Sequence, residues 1–135
     1  MKYLNILILF ALVGCKSMSV SEASKTLIKK GNQQGTDFVE YSVVLNSEEE
    51  FNVTNIYIEG GKEEIKFYYK DLKTGLSSYK MMSPFPKGNY SFNFKLNNLQ
   101  NFSKEEFLII ELTVKGKEKS KRIKIEQKEN KILRS

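Results

Sequence analysis

Asn89-Tyr90-Ser91-Phe92-Asn93-Phe94-Lys95-Leu96-Asn97 puts a large apolar side chain at every second position and a polar one between each pair. Successive side chains of an extended chain point to opposite faces. The stretch therefore predicts a β-strand with Tyr90, Phe92, Phe94 and Leu96 on a buried face. The same period recurs on both sides of it. Val39, Tyr41, Val43 and Leu45 alternate with Glu40 and Ser42, and Ile65, Phe67 and Tyr69 alternate with Lys66 and Lys70. Leu108, Ile110, Leu112 and Val114 form another one-sided stripe, and Ile123 and Ile125 stand between Arg122, Lys124 and Glu126. Residues 51–58 are rich in β-branched and aromatic side chains, and residues 77–82 make a weaker segment.

Turn-forming residues fall between these runs: 46–50, 59–62, 71–75, 84–89 and 115–117. About seven short strands without a long amphipathic helix predict an antiparallel β-sandwich over residues 36–135. Its expected core includes Tyr41, Val43, Ile56, Ile58, Phe67, Phe92, Phe94, Ile110 and Leu112. The longest connection, 97–106, is expected to cross between sheets or to hold a helical turn near Ser103.

The N-terminus has a different character. Lys2 is followed by a largely apolar run from Leu4 to Val13, closed by Leu12-Val13-Gly14-Cys15. A run of about ten residues is half the roughly 20 that a membrane-spanning helix needs and fits the charged and apolar regions of an export signal. Leu12-Val13-Gly14-Cys15 resembles the lipobox of bacterial lipoproteins. That resemblance implies cleavage after Gly14, lipidation of Cys15, and a cell-envelope location, with Lys16 favouring the outer membrane. It also removes Cys15, the only cysteine, from thiol chemistry. Residues 1–14 are then a signal peptide. The polar stretch 15–35 reads as the lipidated N-terminus and a flexible tether spanning on the order of 25 Å, with a short strand at 26–30 at most.

The strand count and length of the remainder resemble the immunoglobulin-like domains of small bacterial lipoproteins, although the antibody-type cysteine–tryptophan–cysteine core is absent. The lysine-, asparagine- and isoleucine-rich composition is similar to that of proteins from AT-rich genomes such as flavobacteria. The net charge of +6 falls by one when Lys2 leaves with the leader. Its interspersed signs argue against a nucleic-acid partner.

Absences narrow the chemistry. The chain has no histidine, which removes the usual general base near neutral pH and the commonest metal ligand. A serine–histidine–acid triad cannot be assembled. Glutamates at 48–50, 63–64 and 105–106 lack the spaced oxygen ligands of a calcium loop. No catalytic residue, metal ligand or cofactor site is expected, and a carboxylate-dependent hydrolase is the remote third reading. Three Asn-x-Ser/Thr triplets, at Asn52, Asn89 and Asn101, are chance products of an asparagine-rich chain behind a bacterial leader.

Two surfaces are candidates for partner contact. Phe85 lies between Pro84 and Pro86, where an aromatic anchor would lose little entropy on binding. Lys115, Lys117, Lys119, Lys121, Arg122 and Lys124 face a single Glu118, a density suited to an anionic glycolipid or an acidic envelope protein, or simply to a charged sheet edge. Tyr57, Tyr68 and Tyr79 are candidates for a binding patch with Phe85, since tyrosine suits interfaces, but packing within a two-sheet core is the preferred reading. The expected function is a membrane-anchored, non-catalytic binding or scaffolding lipoprotein. The alternative is a structural lipoprotein subunit of an envelope machine such as a secretion-system membrane complex.

Overall fold

A computed structural model describes residues 18–30, 36–61, 65–97 and 99–132; the expected signal peptide and Cys15 lie outside the described residues. Ten strands form among the described residues: β1 (Met18–Lys29), β2 (Phe38–Ser47), β3 (Asn52–Ile58), β4 (Phe67–Asp71), β5 (Ser77–Ser78), β6 (Gly88–Leu96), β7 (Phe107–Val114), β8 (Lys117–Lys124), β9 (Glu126–Gln127) and β10 (Lys131–Ile132). The weak 77–82 segment shrinks to the two residues of β5. The alternating stretch from Asn89 to Leu96 falls in β6, at the middle of the larger sheet.

That sheet has the order β10-β1-β2-β6-β4-β5, with β9 also on the outer side of β1, and the second sheet has the order β3-β7-β8. Strands β1, β2, β6 and β4 occupy the places of A, B, E and D in a constant-type immunoglobulin domain, and β3, β7 and β8 those of C, F and G. The fold is an antiparallel immunoglobulin-like sandwich. Among the described strands only β9 and β10 run parallel to their neighbour, capping the edge of β1, which would otherwise offer unpaired backbone groups to another chain.

Period-2 patterning sets the core as expected. In register, Leu45, Val43 and Tyr41 of β2 face Tyr90, Phe92 and Phe94 of β6. The Tyr41 and Phe94 rings stack at 4.9 Å. Of the nine expected core residues eight are buried, and Phe67 is partly buried against them. Burying each such side chain contributes about 1.5–3 kcal/mol. The connection from β6 to β7 crosses between the sheets and includes a short 3-10 turn at Leu99–Asn101, earlier than the helical turn expected near Ser103.

The N-terminal stretch corrects the expected tether. Met18–Lys29 is a twelve-residue strand, paired with β2 from Met18↔Ser47 to Ile28↔Phe38. Its inward side chains are Met18, Val20, Ala23, Lys25 and Leu27, all buried or partly buried in the core. A register shift between Val20 and Glu22 changes the phase of the alternation midway, and a lysine fills one inward place. Both devices hide the strand from a search for an apolar stripe. Two residues, not about twenty, separate Cys15 from the first strand.

Candidate functional site

The second sheet covers one face of β1, β2, β6 and β4. The opposite face carries short polar side chains. Ser24, Ser42, Asn93 and Tyr68 form one row across four strands, and Thr26, Glu40 and Lys95 form the next. The short Ser24, Ser42, Thr26 and Asn93 leave a trough beside the longer Tyr68, Glu40 and Lys95. Ser24, Ser91 and Asn93 are buried in its floor, where the Asn93 amide donates to Ser91 Oγ at 3.1 Å.

A hollow of about 390 Å³ occupies the β1 side, walled by Glu22, Glu40 and, beyond β9, Lys128. Lys128 and Glu22 form a salt bridge. A second hollow of about 320 Å³ lies on the β4 side, against Tyr68, Tyr79 and Lys95. Tyr79 is 61% exposed. Its ring leans on Tyr68 at 5.3 Å between centroids, with the Lys66 ammonium 5.2 Å from its own centroid. The face therefore combines hydroxyl and amide groups, a few charges of each sign and an exposed aromatic platform.

Such a set offers hydrogen-bond donors, acceptors and an aromatic surface to a polar ligand. Glu22 and Glu40 stand on rows four residues apart along β1, about 13 Å at the usual strand rise. Among the described residues no group of three or more Asp and Glu side chains is placed to hold a metal ion.

The tyrosines correct another expectation. On β4, Phe67 and Tyr69 turn inward, so Tyr68 turns outward. On β3, Ile56 and Ile58 are buried, so Tyr57 lies on the outer face of the second sheet, beside Glu111. Tyr68 and Tyr79 meet, whereas Tyr57 is on the other side of the sandwich. The signal was present in the sequence: Tyr57 and Tyr68 sit out of phase with the core residues on either side of them.

Phe85 is not a surface anchor. It is fully buried, its backbone paired in both directions with Phe51 at 2.7 and 3.1 Å. Two prolines fix a local path but say nothing about which side of the loop faces solvent.

The basic hairpin is divided. Lys119, Lys121 and Ile123 are partly buried and alternate with exposed Ser120, Arg122 and Lys124. Lys121 Nζ donates to the Met18 carbonyl at 3.0 Å. Arg122 makes two bonds to Glu59, at 2.7 and 2.9 Å, and stacks on Phe107 with its guanidinium carbon 3.6 Å from the ring centroid. Hydrogen bonding to Arg122 holds the Glu59 carboxyl below its ordinary range. Lys115 pairs with Glu49 at 2.6 Å and Lys124 reaches Glu105 at 4.0 Å. Half of the six cations are thus matched by glutamates that are distant in sequence, while Lys117 lies exposed at the start of β8.

Burial raises the Tyr68 phenol above the ordinary tyrosine range, helped by Glu40 and Tyr79. Burial likewise raises Tyr90, helped by Asp71 and Tyr69. A raised folded-state value means that the folded protein holds its proton more tightly than the unfolded chain, whose phenols titrate near pH 10. The resulting stability is complete below that pH and is lost as pH rises through the folded values. Urea midpoints measured between about pH 8 and about pH 11 should fall at the alkaline end, and by less in Tyr68→Phe. Equal falls in the two proteins would show that Tyr68 plays no part.

Compared with known proteins, the chain matches no family model, no curated protein and no solved structure.

Proposed function

We propose that this chain is a lipid-anchored protein of the bacterial envelope, held through Cys15 in the outer membrane, which binds a polar envelope partner without catalysis. The contact surface in this reading is the outer face of the large sheet. The observation that carries it is the exposed Tyr79, its ring leaning at a tilt against Tyr68 at the margin of a polar trough. An aromatic ring costs water contacts when left exposed, and tyrosine combines apolar area with a hydrogen-bonding tip, which suits contact surfaces. The anchor is supported by Leu12-Val13-Gly14-Cys15 and Lys16, and absence of catalysis by the missing histidine.

Cys15→Ser should abolish labelling by a palmitate analogue and move the protein out of the membrane fraction. Equal label in the variant and the unaltered protein would overturn the anchor. Crosslinking in intact cells should recover an envelope partner that Tyr79→Ala no longer captures and that survives charge reversal of Lys117. If Tyr79→Ala recovers the same partner with the same yield, the outer face is not the contact.

A further inference from the structure

We propose that the end of the sandwich where β1 begins lies against the membrane holding Cys15, with the tip of the β4–β5 hairpin, residues 72–76, seated among the lipid headgroups. This rests on lipidation of Cys15. Covalent geometry limits the three Cα–Cα steps from Cys15 to Met18 to about 11 Å of reach, so Met18 stays within that distance of the acylated cysteine. The headgroup layer on each side of the hydrocarbon is itself about 5–8 Å thick. A domain that begins at Met18 therefore has one end at the surface, and the topology determines which residues are there.

Met18 pairs with Ser47 and Ser47 with Gly88. Tyr90 pairs with Asp71, and the Leu72 N–H donates to the Asn89 carbonyl at 3.0 Å. The hairpin tip is thus on the same end as Met18, three strand spacings or about 14 Å across the sheet. Two of the most exposed large apolar side chains are on it: Leu76 at 71% and Leu72 at 44%. Lys73 lies between them in sequence. Apolar side chains flanking a lysine suit the boundary between headgroups and acyl chains, because the lysine stem lies along the apolar surface while its ammonium stays at phosphate level.

The tip holds its shape. Asp71 Oδ1 accepts the Lys73 N–H at 2.9 Å, and the Gly75 N–H donates to the Asp71 carbonyl at 2.7 Å. Gly75 has φ +79°, a left-handed conformation that favours glycine. Glu48 and Glu50, two exposed glutamates at this end, follow β2, two strands or about 10 Å from β4; a third, Glu118, is on the second sheet. Repulsion from anionic headgroups tilts the contact away from them and onto the tip.

The lipidated full chain tests this with a fluorophore attached to Leu76→Cys or, at the opposite end, to Leu99→Cys. Cys15 in thioether linkage does not react with the label. In vesicles containing a headgroup-quencher lipid, the probe at 76 should be quenched several-fold more than the probe at 99 and should emit at shorter wavelength. Equal quenching at both positions in protein that stays with the vesicles overturns the docked end and leaves the anchor standing. Protein found in the aqueous phase overturns the anchor and the docking together. A probe at 76 shielded from aqueous quencher but not reached by the lipid quencher shows a protein over the tip and overturns the proposal.

Discussion

Replacing Lys25 with methionine should destabilise the domain by about 3–5 kcal/mol, the range seen when one member of a buried charge pair is removed. Lys25 is fully buried. Its ammonium donates to Glu106 Oε1 at 2.7 Å, to the Lys104 carbonyl at 2.7 Å and to the Asn101 carbonyl at 3.1 Å. The Phe102 ring centroid is 5.8 Å away. The Tyr41 hydroxyl donates to the same Glu106 oxygen at 2.8 Å. Methionine keeps much of the stem's volume and removes only the charge and its donors. A carboxylate that is 9% exposed then loses its cation, and the connection from β6 to β7 loses the group that ties it to β1. Glu106→Gln should cost less in the Lys25→Met background than alone, because the two side chains form one network. Urea denaturation of the four proteins in this cycle measures both effects. An unchanged midpoint for Lys25→Met would overturn the role assigned to the lysine, and strictly additive losses would show that the pair is not coupled.

Lys25 also marks where sequence reading stops. Strands β2, β4, β6 and β7 were legible because their inward positions are apolar at an unbroken period of two, and a wrong phase would bury Lys66, Lys95 or Glu111. In β1 the inward places include Ala23 and Lys25, and the shift between Val20 and Glu22 breaks the period. No count of apolar residues finds such a strand. It forms because β2 supplies a full ladder and Glu106, far along the chain, supplies the counter-charge. The pairing of hairpin cations with Glu49, Glu59 and Glu105 was hidden for the same reason: it is decided by contacts between the ends of different strands. The outer-face trough needed only the register. Ser24, Ser42, Asn93 and Tyr68 look unrelated until pairing sets them in one row.

Phe85→Ala should be as damaging as the loss of Lys25, at about 3–5 kcal/mol, the range for truncating a buried phenylalanine. The ring plugs the gap between the sheets near the start of β3 and β6. It stacks on Phe51 at 5.2 Å and meets Tyr69, Tyr90 and Phe92 nearly edge-on at 5.0, 5.2 and 5.5 Å. Four aromatic partners lose contact together when it is removed, and they are held by backbone pairing to strands that cannot easily close the void. Phe85→Leu fills part of the space and should cost less. Leu76→Ser, at an exposed position, should stay within about 0.5 kcal/mol of the unaltered protein. Denaturation midpoints of these three variants distinguish a core plug from a surface anchor. If Phe85→Ala unfolds at the same urea concentration as Leu76→Ser, the ring does not hold the sheets together. The aromatic contact would then have to be sought at the surface, where its position between two prolines first suggested it.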